Sequence, residues 1–189
     1  VIITGEATSN FFGTSLASGD FNADGKTDLA VGASGYASNR GRVYIFTSQN
    51  GQVNTNVNLT GEASSYFGHS LASGDFNADG RTDLIVGADI YSTNTGRAYL
   101  FYNDGSIPTT AATADVIITG EATGNYFGRY LSAGDVNADG KTDVLIGAGS
   151  ATKAYVFYND GSYPSLAANS DVVINGISVS NISIGDLNT

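Results

Sequence analysis

Three acidic loops contain the residues of this sequence best suited to chemistry, because each loop brings several oxygen-bearing side chains close together. The first loop reads Asp-Phe-Asn-Ala-Asp-Gly-Lys-Thr-Asp over residues 20–28, and closely similar loops occupy residues 75–83 and 135–143. In every copy the oxygen-bearing side chains stand at positions 1, 3, 5 and 9, and a glycine stands at position 6. Ca²⁺ takes six to eight oxygen ligands, and glycine permits a sharp turn between them. The pattern predicts a calcium-binding loop in each copy.

The predicted ligands are the same in all three loops: four side chains and the main-chain carbonyl at position 7. The predicted metal-binding residues are Asp20, Asn22, Asp24, Lys26, Asp28, Asp75, Asn77, Asp79, Arg81, Asp83, Asp135, Asn137, Asp139, Lys141 and Asp143. The simpler alternative is a solvated Asp-Gly turn, since both residue types are common in turns. Threefold repetition argues against that alternative, as does the mutual repulsion of three carboxylates within nine residues. We therefore expect Ca²⁺ as the cofactor, at three sites.

The charge of the chain is concentrated in these loops. The 189 residues carry a formal net charge of -10, and nine of the 18 acidic residues are the loop aspartates. Three Ca²⁺ ions would bring the formal charge to about -4. The eight basic residues are scattered singly, so neither nucleic-acid binding nor attraction to an anionic membrane is expected. No apolar run is long enough to predict membrane insertion.

Calcium also indicates a compartment, which cysteine cannot do because the chain has none. Loops of modest affinity fill where calcium is near millimolar. We therefore expect an extracellular or cell-surface, secreted protein. The sequence has no methionine and no basic-then-apolar leader, and it opens and stops inside repeats. It is accordingly expected to be a mature or excised piece.

Short strands are predicted to position the loops. In the first copy they are Ser15–Asp20, Asp28–Ala33, Arg42–Phe46 and Asn56–Thr60, with a hairpin turn at Gln49–Gly51. The other copies repeat this order, with turn signals at Asn103-Asp104-Gly105 and Asn159-Asp160-Gly161. First ligands at 20, 75 and 135 give periods of 55 and 60 residues. Four short strands per period are typical of a β-propeller blade.

The sequence thus predicts an all-β fold: β-propeller blades of four antiparallel strands, with three full blades plus parts of flanking blades. We expect residues 1–189 to form a single repeat array. The expected bounds are about 13–60 for blade 1, 68–119 for blade 2, 128–175 for blade 3 and 176–189 for a partial blade. Residues 1–4 are predicted to be the outer strand of a preceding or shared blade.

The order Phe-Gly, acidic loop, Gly-Ala in each copy resembles the FG-GAP repeat family, the repeat of the integrin α-subunit propeller. The resemblance implies four-stranded blades, of which seven commonly close a ring, and calcium in the loop between the first and second strands. It also implies that ligands meet the face opposite the loops, where the candidates are Tyr36, Tyr66, Tyr91 and Tyr126. The proline of the family pattern is replaced by Ser34, Asp89 and Gly149.

Two further recurring residues are predicted to be structural. Phe12, Phe67 and Phe127 are expected to wedge between neighbouring blades, beside glycines that let backbones approach. Glu6, Glu62 and Glu121 recur in Gly-Glu-Ala corners, where we expect them to accept backbone hydrogen bonds.

Most polar residues repeat in register, whereas catalysis needs an asymmetric site, so we expect no enzymatic activity. The lone histidine, His69, takes the place of Thr14 and Arg129 in the other copies, which indicates a variable surface position. The predicted function is a calcium-stabilised extracellular repeat module for protein interaction, adhesion or assembly. A carbohydrate-binding propeller is the main alternative, and a propeller accessory part of a secreted enzyme is less favoured. The partner is an unidentified protein or glycan, and bare end blades predict a homo-oligomer or part of a larger assembly.

Overall fold

The computed structural model describes residues 2–49, 52–176 and 182–184, and its strands form three sheets of four antiparallel strands. The first sheet contains β1 (Phe12–Gly19), β2 (Asp28–Ala33), β3 (Arg42–Gln49) and β4 (Gln52–Thr60). The second contains β5 (Ser70–Gly74), β6 (Asp83–Ala88), β7 (Arg97–Phe101) and β8 (Val116–Thr119). The third contains β9 (Phe127–Gly134), β10 (Asp143–Ala148), β11 (Lys153–Phe157) and β12 (Val172–Asn175).

Each sheet is a meander in which every strand pairs with the next one along the chain. This confirms the prediction of an all-β fold built of four-stranded blades, and we call the sheets blades 1, 2 and 3. The helical segments are single turns at α1 (Tyr36–Asn39) and α2 (Tyr91–Asn94), and short 3₁₀ helices at Thr8–Asn10, Ala111–Thr113 and Ala167–Asn169. Among the described residues, no helix combines the length and the apolar character that crossing a membrane requires.

The link between the third and fourth strands differs among the blades. In blade 1, Gln49 pairs with Gln52, and the predicted turn residues Asn50 and Gly51 lie outside the described residues. In blades 2 and 3 the predicted turns are only bends within long connections, at residues 102–115 and 158–171. Those connections contact the acidic loops through Asn103 and Asn159.

The predicted strand at residues 1–4 is not formed: residues 2–4 have no strand conformation, and Val1 lies outside the described residues. A strand needs a neighbour to take its main-chain hydrogen bonds, and none of the described strands pairs with this segment. Ile3 instead packs on the apolar face of blade 1. Residues 182–184 of the predicted partial blade also form no strand, although the Ile184 N–H donates to the Ser132 hydroxyl at 3.0 Å. The remaining residues of that segment, 177–181 and 185–189, lie outside the described residues.

The core lies between blades and not within one. Alternation along β6 sends Leu84 and Val86 into a buried cluster shared with blade 1, and Ile85 into a second cluster shared with blade 3. Both faces of blade 2 are therefore buried. The face of blade 1 that points away from blade 2, called the leading face, carries a third cluster that includes Val31, Tyr44 and Phe46.

The predicted phenylalanine wedge is confirmed at both junctions between blades. Phe67 is 0% exposed and packs edge-on against Tyr99, with ring centroids 5.5 Å apart. Phe127 makes the same contact with Tyr155 at 5.4 Å. Phe12 packs equally close to Tyr44, at 5.4 Å, but it is only half-buried because it lies on the leading face of blade 1.

The glycine of the Gly-Ala pair in blades 1 and 2, Gly32 and Gly87, is required by the approach of the next blade. A Cβ built on Gly87 would lie 2.0 Å from the Gly128 carbonyl oxygen, which is main chain and cannot swing aside. We expect Gly87→Ala to lower the free energy of unfolding by about 3 kcal/mol, since overpacking a tight contact shifts the backbone. Gly80→Ala is the matched control: its Cβ would meet nothing within 4 Å, so only the cost of φ +85° remains, about 1 kcal/mol. Urea denaturation measures both, and equal losses would contradict the steric explanation.

Candidate functional site

The three acidic loops join the first strand of each blade to the second, and their internal hydrogen bonds are the same in every copy. The Asp20 carboxylate accepts the Asp24 N–H at 3.0 Å and the Gly25 N–H at 2.8 Å. The Asn22 side-chain oxygen also accepts the Asp24 N–H, at 3.0 Å, and the Asp24 Oδ1 accepts the Lys26 N–H at 2.9 Å. Corresponding bonds in the other two loops differ by no more than 0.1 Å. Side chains at positions 1, 3 and 5 thus turn toward the loop interior.

Backbone conformation accounts for the glycine at position 6. Gly25, Gly80 and Gly140 have φ of 80°, 85° and 84°, in the left-handed region that favours glycine. The alanine at position 4 is left-handed as well, with φ between 56° and 60° in the three copies, which nothing in the sequence indicated. Two left-handed residues fold nine residues into a tight loop whose amide N–H groups converge on the first aspartate.

The ninth position is buried in all three loops, unlike the other predicted ligands. Asp28, Asp83 and Asp143 are 3%, 0% and 0% exposed. Asp83 accepts the Phe76 N–H and the Asn103 N–H, both at 2.8 Å. Burial raises the pKa of Asp83 to about 6; these two hydrogen bonds oppose the rise, and the nearby carboxylates of Asp79 and Asp75 add to it. A cation beside this carboxylate would lower its pKa again, because it favours the ionised form.

The basic residues at position 7 do not neutralise the loop carboxylates. The Arg81 guanidinium donates to the Asn103 carbonyl at 3.1 Å, and the Lys141 ammonium donates to the Asn159 carbonyl at 3.1 Å. The ion pairs of Arg42, Arg97, Arg129 and Lys153 all lie outside the loops. In the described part of the chain, no basic side chain pairs with the carboxylates at positions 1 and 5 of any loop.

The donor chemistry of the loops fits a hard cation. Each side-chain oxygen at positions 1, 3 and 5 accepts one hydrogen bond and keeps a lone pair, since a carboxylate or amide oxygen has two. The Asp24 Oδ2 accepts its bond from the Asn22 side-chain amide, at 3.3 Å. Carboxylate, amide and carbonyl oxygens are the ligands that Ca²⁺ prefers. The described residues contain no ready-made group of three acidic or histidine side chains, because the carboxylates are turned to their own main chain.

Two functional candidates were missed by sequence reasoning: Asn103 and Asn159, which are 0% and 1% exposed. Both belong to Asn-Asp-Gly stretches that indicate turns, and both instead donate main-chain N–H groups to the ninth loop residue, at 2.8 Å. The distance along the chain from that aspartate is 20 residues in one blade and 16 in the other, so no fixed spacing indicated the contact.

On the opposite face, the predicted ligand-binding tyrosines are engaged by arginines. The Arg42 guanidinium lies 3.6 Å from the Tyr36 ring centroid, and the Arg97 guanidinium lies 3.8 Å from that of Tyr91. One face of each ring is therefore occupied. These tyrosines open turns in which two residues at the centre are left-handed: Ala37 and Ser38 in α1, and Ser92 and Thr93 in α2.

Tyr66 and Tyr126 lie in the corners between blades and are also left-handed, with φ of 55° and 56°. Their main-chain N–H groups donate to the Asn39 and Asn94 carbonyls, at 2.9 and 2.8 Å. The Tyr126 hydroxyl accepts a hydrogen bond from the Asn94 amide at 3.0 Å. The four predicted tyrosines thus lie in or beside the turns of this face. Their described contacts are mostly with the chain itself, namely with the arginines and with the neighbouring turns.

The recurring glutamate takes side-chain partners, so the prediction of backbone partners is wrong. The Glu62 Oε1 accepts the Arg97 guanidinium at 3.0 Å and the Tyr99 hydroxyl at 2.9 Å. Glu121 pairs with the Lys153 ammonium at 2.7 Å; burial, reinforced by the Glu121 carboxylate, raises the pKa of Tyr155 to about 12. In the Gly-Glu-Ala corners, the Gly61 and Gly120 N–H groups donate to Gly41 and Gly96 of the preceding blade. The glutamate carboxylate instead contacts the third strand of its own repeat.

His69 is half-buried and not a plain surface residue. It lies near Asp89, whose carboxylate is 1% exposed and forms an ion pair with Arg129 of blade 3 at 3.4 Å. Burial raises the pKa of Asp89, and the charges of His69 and Arg129 oppose that rise. Asp89 stands where the family pattern has proline, and it makes a contact between blades that proline could not make.

Comparison with known proteins agrees with this architecture. A profile of the FG-GAP repeat matches residues 12–46, 67–101 and 127–162, more than half of the chain. The chain is 36% identical over 163 residues to integrin alpha-7 of Rattus norvegicus, covering 82% of this chain and 14% of that protein. It is 32% identical over 183 residues to integrin alpha-8 of Gallus gallus (88% and 17%) and 32% over 165 residues to integrin alpha-5 of Xenopus laevis (80% and 15%). The chain thus spans about a sixth of the length of these relatives.

Proposed function

Because the chain belongs to the FG-GAP repeat family, we propose that it is a calcium-stabilised module of an extracellular protein, serving protein interaction, adhesion or assembly without catalysis. The observation that carries this proposal is the acidic loop: one hydrogen-bond network in three copies, with carboxylates at positions 1 and 5 that no described basic side chain neutralises. Three independent copies of a costly charge arrangement are explained by a common ligand of opposite charge.

The loop side chains at positions 1, 3, 5 and 9 and the carbonyl at position 7 are the proposed ligands in each copy. Bound Ca²⁺ supplies positive charge that neutralises the carboxylates and fixes the loop. The residues of the chain supply the rest: Gly25 and its equivalents set the turn, and the buried ninth aspartate ties the loop to the second strand. Since the ion binds only the folded loop, its binding free energy stabilises the blade.

The proposed partner surface is the face opposite the loops, formed by the α1 and α2 turns and the corners with Tyr66 and Tyr126. Its left-handed turns are held by main-chain bonds between blades, such as Tyr126 N–H to Asn94 at 2.8 Å, so the surface is pre-organised. A rigid surface with tyrosine and arginine suits a protein partner. The carbohydrate-binding alternative has less support, because arginines occupy one face of the Tyr36 and Tyr91 rings.

Assembly is proposed because no described blade packs on the outer faces of blades 1 and 3, whereas both faces of blade 2 are buried by its neighbours. Ile118 of β8 and Ile174 of β12 pair with equivalent alanines, Ala98 and Ala154. Ile118 is 0% exposed beneath blade 3, whereas Ile174 is 39% exposed. Burying such surface is worth roughly 25 cal/mol per Å², so a further repeat or a second copy of the chain would stabilise this face. We propose that the chain works as a homo-oligomer or as a section of a larger assembly.

Native mass spectrometry with and without chelator tests the proposed function in one experiment. We expect three Ca²⁺ ions per chain and a distribution of masses above that of one chain. Chelator removes the ions and leaves the sequence unchanged, so it is its own control. A chain that takes up no calcium at millimolar concentration would overturn the calcium proposal, and a lone monomer at every concentration would overturn the assembly proposal.

A further inference from the structure

Each acidic loop of blades 1 and 2 is packed against the blade that follows it. Its second residue is buried at the junction: Phe21 is 4% exposed and Phe76 is 1% exposed, whereas Val136, with no described blade after it, is 43% exposed. The glycine before the loop lies against position 8 of the next loop, because a Cβ on Gly19 would lie 2.3 Å from the Thr82 methyl. Successive loops are therefore neighbours in space, although 55 or more residues separate them along the chain.

A buried asparagine bridges each pair of loops. The Asn103 side-chain amide donates to the main-chain carbonyl of Asp20 at 3.3 Å, and its main-chain N–H donates to the Asp83 carboxylate at 2.8 Å. One residue thus holds position 1 of the first loop and position 9 of the second. Asn159 makes the same two bonds to Asp75 and Asp143, at 3.3 and 2.8 Å.

We propose that Asn103 and Asn159 are positioning residues that couple the cation affinities of neighbouring loops, so that an ion bound in one loop raises the affinity of the next. The proposal rests on the proposed function, because it requires the loops to bind Ca²⁺. It goes beyond that function, since three independent loops would satisfy the proposed function equally well.

The coupling follows from what each bond restrains. Calcium in the first loop immobilises Asp20, whose main-chain carbonyl accepts a hydrogen bond from the Asn103 side-chain amide. With its side chain fixed, Asn103 keeps donating its main-chain N–H to the Asp83 carboxylate, which is itself a proposed ligand of the second loop. The Asn103 side-chain oxygen is buried without a described hydrogen-bond partner, so the amide serves here only as a donor. Coupling of binding free energies is reciprocal, so the calcium affinity of the middle loop depends on the occupancy of both neighbouring loops.

Calcium titration followed by ¹H–¹⁵N NMR reads the three loops separately. The reporters are the amides of Gly25, Gly80 and Gly140, each of which donates to the first aspartate of its own loop at 2.8 Å. Asp24→Ala removes an exposed carboxylate and disables the first loop. We expect it to raise the calcium concentration at half-saturation of Gly80 about fivefold, the lower end of common coupling factors. In the Asn103→Ala background the same change should leave Gly80 unaffected.

Asn159→Ala is the matched control, since it cuts only the bridge between the second and third loops. In the Asn159→Ala background, Asp24→Ala should still raise the calcium concentration at half-saturation of Gly80. Asp139→Ala, which disables the third loop, should no longer raise it. If no glycine amide responds to calcium in the unaltered chain, the proposed function fails and the coupling fails with it. If all three respond, yet Asp24→Ala leaves the Gly80 midpoint unchanged, calcium binding stands and the bridge is wrong. Should Asn103→Ala fail to fold, the coupling is tested by Asp24→Ala alone, in the chain with both asparagines intact: an unchanged Gly80 midpoint contradicts it.

Discussion

Removing calcium from the folded chain is expected to lower its melting temperature by roughly 15–30 °C. A site held at about 100 times its dissociation constant stabilises the folded state by about 2.7 kcal/mol, so three independent sites contribute about 8 kcal/mol. In a chain of this length 1 kcal/mol moves the melting temperature by about 2–4 °C. The physical reason is local: without the ion, three carboxylates in each loop repel one another within nine residues. Thermal denaturation followed by circular dichroism, in millimolar calcium and in excess chelator, measures the difference.

The control for this prediction is a variant in which position 5 of every loop is changed, with Asp24, Asp79 and Asp139 all replaced by alanine. These carboxylates are exposed and make no described contact outside their own loops, so the blades should still fold. The variant should melt at the same temperature with and without calcium. A large chelator effect that persists in it would mean that calcium acts elsewhere than in the loops.

Phe67→Ala is expected to destabilise the chain by about 3–5 kcal/mol, and Phe12→Ala by only about 1 kcal/mol. The two residues have the same place in the repeat, and each packs edge-on against the equivalent tyrosine: Phe67 against Tyr99 at 5.5 Å and Phe12 against Tyr44 at 5.4 Å. They differ in cover, because Phe67 is 0% exposed between blades 1 and 2, whereas Phe12 is half-buried on the leading face. Truncating a fully buried phenylalanine loses the transfer free energy of the ring and leaves a cavity. Urea denaturation in saturating calcium measures both losses.

This pair also tests the proposed assembly, if the measurement is repeated over a range of protein concentrations. A loss at Phe12 that approaches the loss at Phe67 as the concentration rises would show that a second copy covers the leading face. Equal losses at every concentration would contradict the prediction, because the two positions would then be equally covered within one chain.

The acidic loops and the blade order were determined by the sequence itself. A loop of nine residues is held by hydrogen bonds between residues two to five positions apart, such as Gly25 N–H to Asp20. Such contacts leave a local pattern of residue types, so the turn glycine was predicted at the right position. The four short strands per period and the repeated Phe-Gly pair likewise predicted four-stranded blades with an aromatic wedge at each junction, because these features depend on short spacing.

Only the tertiary structure decided what joins one repeat to the next. Asn103 meets Asp20 across 83 residues of chain, and nothing in an Asn-Asp-Gly stretch distinguishes that partner from solvent. Glu62 likewise takes Arg97 and Tyr99 as partners only because a folded blade brings its third strand beneath the corner. The strand predicted at residues 1–4 is not formed at residues 2–4 for the same reason, since its apolar residues indicate a strand but its hydrogen bonds need a neighbour. Contacts between residues a few positions apart are encoded by spacing, whereas contacts between residues distant along the chain depend on which surfaces the folded blades bring together.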